Sequence, residues 1–245
     1  MNVMRIAMWS GPRNISSALM RSFENRSDTW VCDEPFYGFY LKISGAPHPD
    51  RQEIIDSMVC DPESVIETLT KEVNDSLSIN YQKHMTHHFL PEISGDWLFS
   101  LKNCFLIRDP LRVISSYAKV RSKFSFEELG MQQQLDLFHL CANELGEAPP
   151  VIDAERCLVN PKNVLTKLCQ RLNISFSSKM LEWPIGSRAS DGLWAKHWYS
   201  DLYKTTHFSL NQNNYKSDER KIEKEYSETL KKALEIYNEL SEYAL

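Results

Sequence analysis

The residues best suited to chemistry in this sequence fall in two short segments, each able to hold an anion. The first is Trp9-Ser10-Gly11-Pro12-Arg13-Asn14-Ile15-Ser16-Ser17-Ala18-Leu19. An apolar run ends in a Gly-Pro turn, and hydroxylic residues open the helix-like stretch after it. Where a strand turns into a helix, the first N–H groups of the helix point outward and its dipole favours negative charge. Arg13 adds a fixed positive charge, and Ser16 and Ser17 add hydroxyl donors. Taken alone, a plain strand–turn–helix with a capping serine explains the segment about as well. It is not the GxxxxGK[ST] phosphate loop, because no Gly-Lys pair comes after Gly11. That absence weakens a reading as a nucleotide kinase or hydrolase.

The second segment is Phe105-Leu106-Ile107-Arg108-Asp109-Pro110-Leu111-Arg112-Val113-Ile114-Ser115-Ser116-Tyr117. Arg108 closes an apolar run, Pro110 suits a first helical turn, and Ser116 stands eight positions after Arg108. That spacing lets Arg108 and Ser116 reach one anion together. The competing reading pairs Arg108 with a carboxylate and turns Ser116 into the helix packing.

The elements that must position these residues are short apolar strands alternating with helices. Strands are expected at Arg5–Trp9, Trp30–Cys32, Ile79–Lys83, Cys104–Ile107 and Pro150–Asp153. Helices are expected from Ser16 or Ser17 to Glu24, from Pro62 to about Leu77, over Leu111–Val120, from Ser125 to about Leu145, and from Asn160 to Leu172. Asp61-Pro62-Glu63 gives the second of these a cap, a first-turn proline and an acid. Ser125-Phe126-Glu127-Glu128 has capping-box spacing. Ser217–Tyr243 reads as a solvated C-terminal helix. The alternation implies an α/β fold with a mainly parallel central sheet between two helical layers, as one domain over 1–245. Gly186–Asn214 reads as a structured irregular stretch rich in Trp, His and Tyr.

Composition bounds the function. The net charge of −5 argues against broad nucleic-acid binding. No apolar run approaches the roughly 20 residues that span a bilayer, and the start does not read as a secretion signal. The six cysteines never form CxxC, so they read as reduced thiols in a cytoplasmic protein, with no metal site expected.

Together the two anion segments resemble the sulfotransferase superfamily, and the chain is similar to a bacterial-type branch of it. In that family a Pro-Lys/Arg-Ser-Gly-Thr-Thr loop holds a 5'-phosphosulfate. Pro12-Arg13-Asn14-Ile15-Ser16-Ser17 matches it, with Asn14-Ile15 in place of Ser-Gly. The loss of Gly restricts backbone angles there. The family's second unit has Arg, then Asn/Asp-Pro, then Ser at plus eight. Arg108, Asp109-Pro110 and Ser116 match it. The resemblance implies a P-loop NTPase-like fold. It implies 3'-phosphoadenosine 5'-phosphosulfate as donor without a required metal, and a hydroxyl or amine of a small molecule as acceptor. Gly11, Pro12, Arg13, Asn14, Ile15, Ser16 and Ser17 would hold the 5' side, and Arg108 and Ser116 the 3'-phosphate. Arg13 would also act in catalysis. A nucleotide-binding module without turnover remains the alternative beside the kinase or hydrolase. No Arg-Lys-Gly element stands near the C-terminus, and Arg188, Lys196 and His197 are the residues that could take its place.

Two residues are expected as general base. Glu34, before Pro35, stands where bacterial relatives place a carboxylate, and Pro35 biases it toward extended backbone. His84, after Lys83, stands roughly where cytosolic relatives carry a histidine in Lys-Thr-His. His87 and His88 lie close by. Loops around Glu34–Tyr40, His84–Leu90 and Gly186–Tyr203 are expected to build an aromatic pocket for a partly apolar acceptor.

Overall fold

The computed structural model describes residues 3–71, 77–121, 123–210 and 222–245. Five parallel strands form one sheet, β1 (Met4–Ser10), β2 (Thr29–Asp33), β3 (Ile79–Met85), β4 (Lys102–Ile107) and β5 (Val151–Asp153). Their order is β2-β3-β1-β4-β5. The strand residues of β1 from Ile6 to Ser10 and all of β3 are buried. Continuous burial is what a parallel sheet covered on both faces produces; β1 reads as an apolar run for that reason, whereas β3 buries Asn80, Gln82, Lys83 and His84 among its apolar residues.

Ten helices surround the sheet: α1 (Ser16–Glu24), α2 (Tyr37–Ser44), α3 (Arg51–Ser57), α4 (Pro62–Thr70), α5 (Pro110–Ala118), α6 (Met131–Leu145), α7 (Ala154–Val159), α8 (Pro161–Arg171), α9 (Ala195–Trp198) and α10 (Ser227–Ser241), counted among the described residues. The side chains split into two cores. Ile6, Met8, Tyr81 and Leu106 pack with α1 and α8 on one face. Ala7, Trp9, Phe105 and Ile107 pack with α5, α6 and α10 on the other. The result is the expected three-layer α/β arrangement.

Local chemistry explains some of the boundaries. Asp61 accepts from Ser64 N at 2.9 Å and Asn160 from Asn163 N at 3.2 Å, so α4 and α8 start where a cap and a first-turn proline stand together. Other boundaries correct the sequence reading. Neither Ser16 nor Ser17 caps α1, since Ser16 is its first residue and Ile15 occupies the cap position. The helix expected from Ser125 is interrupted: a single 3-10 turn spans Glu127–Leu129, Gly130 takes φ 63°, and α6 begins at Met131. Ser125 N does donate to Glu128 Oε1 at 3.0 Å, so half of the capping box forms around the short turn. A Cβ at residue 130 would sit 2.5 Å from Thr86 Oγ1, which makes glycine necessary at this crossing.

Helix α2 begins within a stretch expected as a loop, α3 stands where no element was expected, and α7 separates β5 from α8, its start capped by Asp153. Helix α4 ends at Thr70, and the stretch 72–76 of its expected extension lies outside the described residues. Of the expected C-terminal helix, residues 217–221 lie outside the described residues. A helical turn over 222–225 leads into α10. The irregular stretch holds only short helical pieces among its described residues, and 211–214 are not among them.

Candidate active site

The carboxyl ends of β1, β2, β3 and β4 open on one cavity of about 370 Å³. This is where crevices form in open parallel sheets. The β1–α1 junction supplies one wall. Gly11 lets the chain pass under Leu129, since a Cβ there would lie 2.5 Å from the Leu129 carbonyl oxygen. Asn14 Nδ2 reaches the carbonyls of Gly11 at 3.3 Å and Leu106 at 3.2 Å, and so ties the turn to β4. Arg13 takes the left-handed φ of 60°. Ile15 sits at φ −89°, which any L-residue adopts. The replacement of Gly by Ile15 therefore imposes no backbone conflict, contrary to the restriction expected from sequence; the unusual angle falls on Arg13 instead. Among the described residues no side chain caps α1, and its first turn carries no acid. Its leading N–H groups have no partner within the helix and border the cavity at Ser16, Ser17 and Ala18.

The β4–α5 junction supplies the adjoining wall. Arg108 Nη1 donates to the Arg13 carbonyl at 2.8 Å, and Arg108 Nε pairs with Glu155 Oε1 at 3.1 Å. Arg13 Nε donates to Ser116 Oγ at 2.9 Å. Arg13, Arg108 and Ser116 thus form one connected group on the cavity. Pro12, Asn14, Ile15, Ser16 and Ser17 border the same space. Gly11 lies behind it, against Leu129.

The third wall carries a buried charge cluster. Lys83 Nζ contacts Asp33 Oδ1 at 2.9 Å, the Tyr199 hydroxyl at 2.8 Å, and Glu34 Oε1. The Tyr199 hydroxyl also donates to Asp33 Oδ2 at 2.8 Å. Burial pulls the Lys83 ammonium toward neutrality, but Asp33 and Glu34 outweigh it and hold Lys83 well above its ordinary value. Burial raises Glu34, with Lys83 opposing and Asp33 adding to the shift. Glu34 does not take the extended backbone expected from Pro35; its φ is 46°. The bond from Glu34 N to the Lys83 carbonyl at 2.9 Å continues the sheet pairing for one residue and accompanies the turn. Among the described residues only Arg13, Glu34 and Asn173 are non-glycine residues with positive φ, and two of the three border the cavity. Unfavourable backbone held in place by its surroundings concentrates at functional sites.

His84 is not in this cavity. Side chains alternate along a strand, so Lys83 and Met85 face the cavity while His84 points to the opposite face of the sheet. There it stacks on Trp9 with centroids 4.4 Å apart and meets Gln82 Oε1 at 3.1 Å. Burial, helped by the Lys83 charge, pushes its pKa down to about 3. The histidines that do border the cavity are His87 and His88. Of the aromatics in the loops expected to build the pocket, Tyr37, Tyr40, Trp198 and Tyr199 line it, the first two from a helix, and Tyr117 joins them, while Phe36, Phe39, Phe89 and Trp194 pack in or against the core instead. Arg121 pairs with Glu128 at 2.6 Å and donates to the Pro47 carbonyl at 2.8 Å at the same wall.

Arg188, Lys196 and His197 are occupied elsewhere. Lys196 and His197 hold Asp50 at 2.8 and 2.5 Å, and Arg188 Nε lies 3.9 Å from Glu24. Among the described residues no cluster of His, Cys, Asp or Glu is placed to hold a metal ion, and no helix is long and apolar enough to cross a membrane. The charge cluster of Lys83, Asp33 and Tyr199 was missed from sequence, which expected Tyr199 only as a pocket aromatic. The period of two in β3 separates Lys83 from His84; nothing local announces Tyr199, which arrives from 166 residues away.

Comparison with known proteins agrees with this fold. A family model described as a sulfotransferase domain matches residues 4–242. Among solved structures, a sulfotransferase from Alicyclobacillus acidocaldarius superposes with a TM-score of 0.57 at 12% identity, covering 100% of this chain and 98% of the other. The sulfotransferase domain from the curacin biosynthetic pathway gives 0.51 at 18% identity, covering 93% and 98%. At these identities the likeness is one of fold. Two Arabidopsis thaliana proteins, branched-chain-amino-acid aminotransferase-like proteins 1 and 2, are 35% and 36% identical over 95% and 84% of this chain. The matches span only 41% and 36% of those longer proteins. With the family match running almost end to end, the chain belongs to the sulfotransferase-domain family.

Proposed function

We propose that the protein transfers the sulfuryl group of 3'-phosphoadenosine 5'-phosphosulfate to a hydroxyl or amine of a small, partly apolar molecule. The observation that carries this reading is the uncapped N-terminus of α1 facing the same cavity as Arg13, Arg108 and Ser116. Anion-binding N–H groups and two guanidinium groups suit a donor with charge at both its 5' and 3' ends.

In transfer, the acceptor oxygen or nitrogen forms a bond to sulfur as the bond from sulfur to the phosphate oxygen breaks. The electron pair stays on that phosphate oxygen. The α1 N–H groups and Arg13 meet the charge that develops there, which is the electrostatic role such donors play in phosphoryl transfer. The acceptor also gives up a proton. Of the two expected bases, Glu34 borders the cavity and His84 does not, so the proton leaves on the Glu34 side.

Thermal denaturation with ligands tests the reading, because a ligand that binds only the folded state raises its stability by mass action. Adenosine 3',5'-bisphosphate should raise the melting temperature without metal, and more than AMP or ATP does. A larger shift from ATP with magnesium, with none from the bisphosphate, would sink the assignment.

A further inference from the structure

Glu34 is poorly free to take a proton, because its Oε1 is engaged by the Lys83 ammonium. Its other oxygen faces a different group. Glu34 Oε2 lies 4.0 Å from Nδ1 of His88. That Nδ1 is buried and has no hydrogen-bond partner among the described residues. The His88 ring borders the cavity and is fixed in plane by stacking on Tyr37 at 4.7 Å and on Tyr40 at 4.6 Å. His87 also borders the cavity, but it meets Tyr40 edge-on and, among the described residues, pairs with no carboxylate.

We propose that His88 takes the acceptor's proton, with Glu34 as the positioning residue behind it. This rests on the sulfuryl-transfer reading above. A carboxylate facing Nδ1 selects the tautomer with its proton on Nδ1, which leaves the lone pair on Nε2. The acceptor's proton moves to Nε2 as its oxygen or nitrogen bonds to sulfur. The sulfur–phosphate oxygen bond breaks, and its electron pair stays with the bisphosphate. The resulting imidazolium is stabilised through Nδ1–H by Glu34 Oε2, and the 4.0 Å gap is the kind that tightens when a site is loaded.

The surroundings agree with a neutral resting ring. Burial, then His87, Lys83 and His84, pushes His88 well below its ordinary value. The groups facing it are those three, Glu34, and the two tyrosine rings. A bound phosphosulfate brings negative charge into the cavity and favours the protonated ring.

The test tracks label from sulfur-35 donor to water and to 4-nitrophenol, beside bisphosphate affinity by calorimetry. His88→Phe keeps the stacked ring and removes both nitrogens. It should lower turnover about 100-fold or more while bisphosphate affinity stays within about threefold, as expected for a lost general base. His88→Ala should lose turnover likewise and regain part of it with added imidazole. Wild-type turnover in His88→Phe would overturn the proposal, as would loss in His87→Phe with His88→Phe unaffected. If His88→Ala fails to fold, His88→Phe decides alone. A wild-type protein that binds the bisphosphate yet moves no label would overturn the transferase reading, and this role with it.

Discussion

The two strand-to-helix junctions that wall the cavity look alike in sequence and are built in opposite ways. At β4–α5 the carboxylate of Asp109 accepts from Leu111 N at 2.8 Å and Arg112 N at 3.4 Å, and Pro110 fills the first helical position. The positive end of α5 is closed by the protein's own acid. At β1–α1 no side chain among the described residues fills that role, and an apolar residue stands at the cap. A missing cap forgoes about 1 kcal/mol of helix stability. Such an omission beside two arginines makes sense where a ligand's anion completes the helix. The difference is that α1 offers the cavity an uncapped backbone end, whereas the α5 unit offers side chains, Arg108 before the helix and Ser116 along it.

The contrast can be broken in three places. The largest effect is expected for Arg13→Ala, whose guanidinium joins the two junctions through Ser116. Loss of one group that stabilises developing charge costs about 10²- to 10³-fold in turnover, so Arg13→Ala should lower kcat as well as donor affinity under saturating donor. A kcat that stays at the wild-type value would confine Arg13 to holding the loop.

A smaller effect is expected for Arg108→Ala, which removes a charge-assisted bond of roughly 1.5–3 kcal/mol. Adenosine 3',5'-bisphosphate should bind about ten- to a hundredfold more weakly by calorimetry, and AMP much less so. Equal losses for both ligands would mean that Arg108 acts by bracing the Arg13 carbonyl and Glu155, not by meeting a 3'-phosphate.

The smallest effect is expected for Asp109→Ala. It should destabilise the protein by about 1 kcal/mol in urea titrations and leave bisphosphate affinity unchanged. Weaker ligand binding in that variant would show that the capped junction also shapes the ligand site, and the contrast would fail.

Much of the site was legible because it depends on local chemistry. Gly11 through Ser17 and Arg108 through Ser116 each lie within one strand–turn–helix unit, and the structure brings both units to one cavity. The sheet was legible for the same reason where doubly buried strands are apolar, as in β1 and β4; β3 buries Asn80, Gln82, Lys83 and His84 and carries no such run. What escaped sequence was set by tertiary position. The choice between Lys83 and His84 depends on which face of β3 meets which layer. Helix α2 was hidden because Phe36 and Tyr37 carry no capping signal, and its backbone entry is set by the left-handed turn at Glu34. Gly130 broke the expected helix from Ser125 because Thr86, remote in sequence, needs the space.

The three histidines at the end of β3 carry a consequence for behaviour in acid. Burial, with neighbouring positive charge, pushes His84 and His87 down to about 3, and His88 also lies well below its ordinary value. In the unfolded chain each would titrate near 6.5. Between pH 6.5 and about 3 the unfolded state therefore binds more protons than the folded one, so stability rises with pH. It is complete above 6.5 and drains away as pH falls, by at most about 1.4 kcal/mol per pH unit for each ring. Urea midpoints should drop between pH 7.5 and pH 5, and His84→Gln should shrink that drop without touching the ligand cavity. A midpoint indifferent to pH over this range would mean that these rings find protons or water inside the fold. Three buried imidazoles at the end of β3 thus make mild acid a solvent that weakens the fold through the unfolded chain, without any of these rings having to take a proton in the native state.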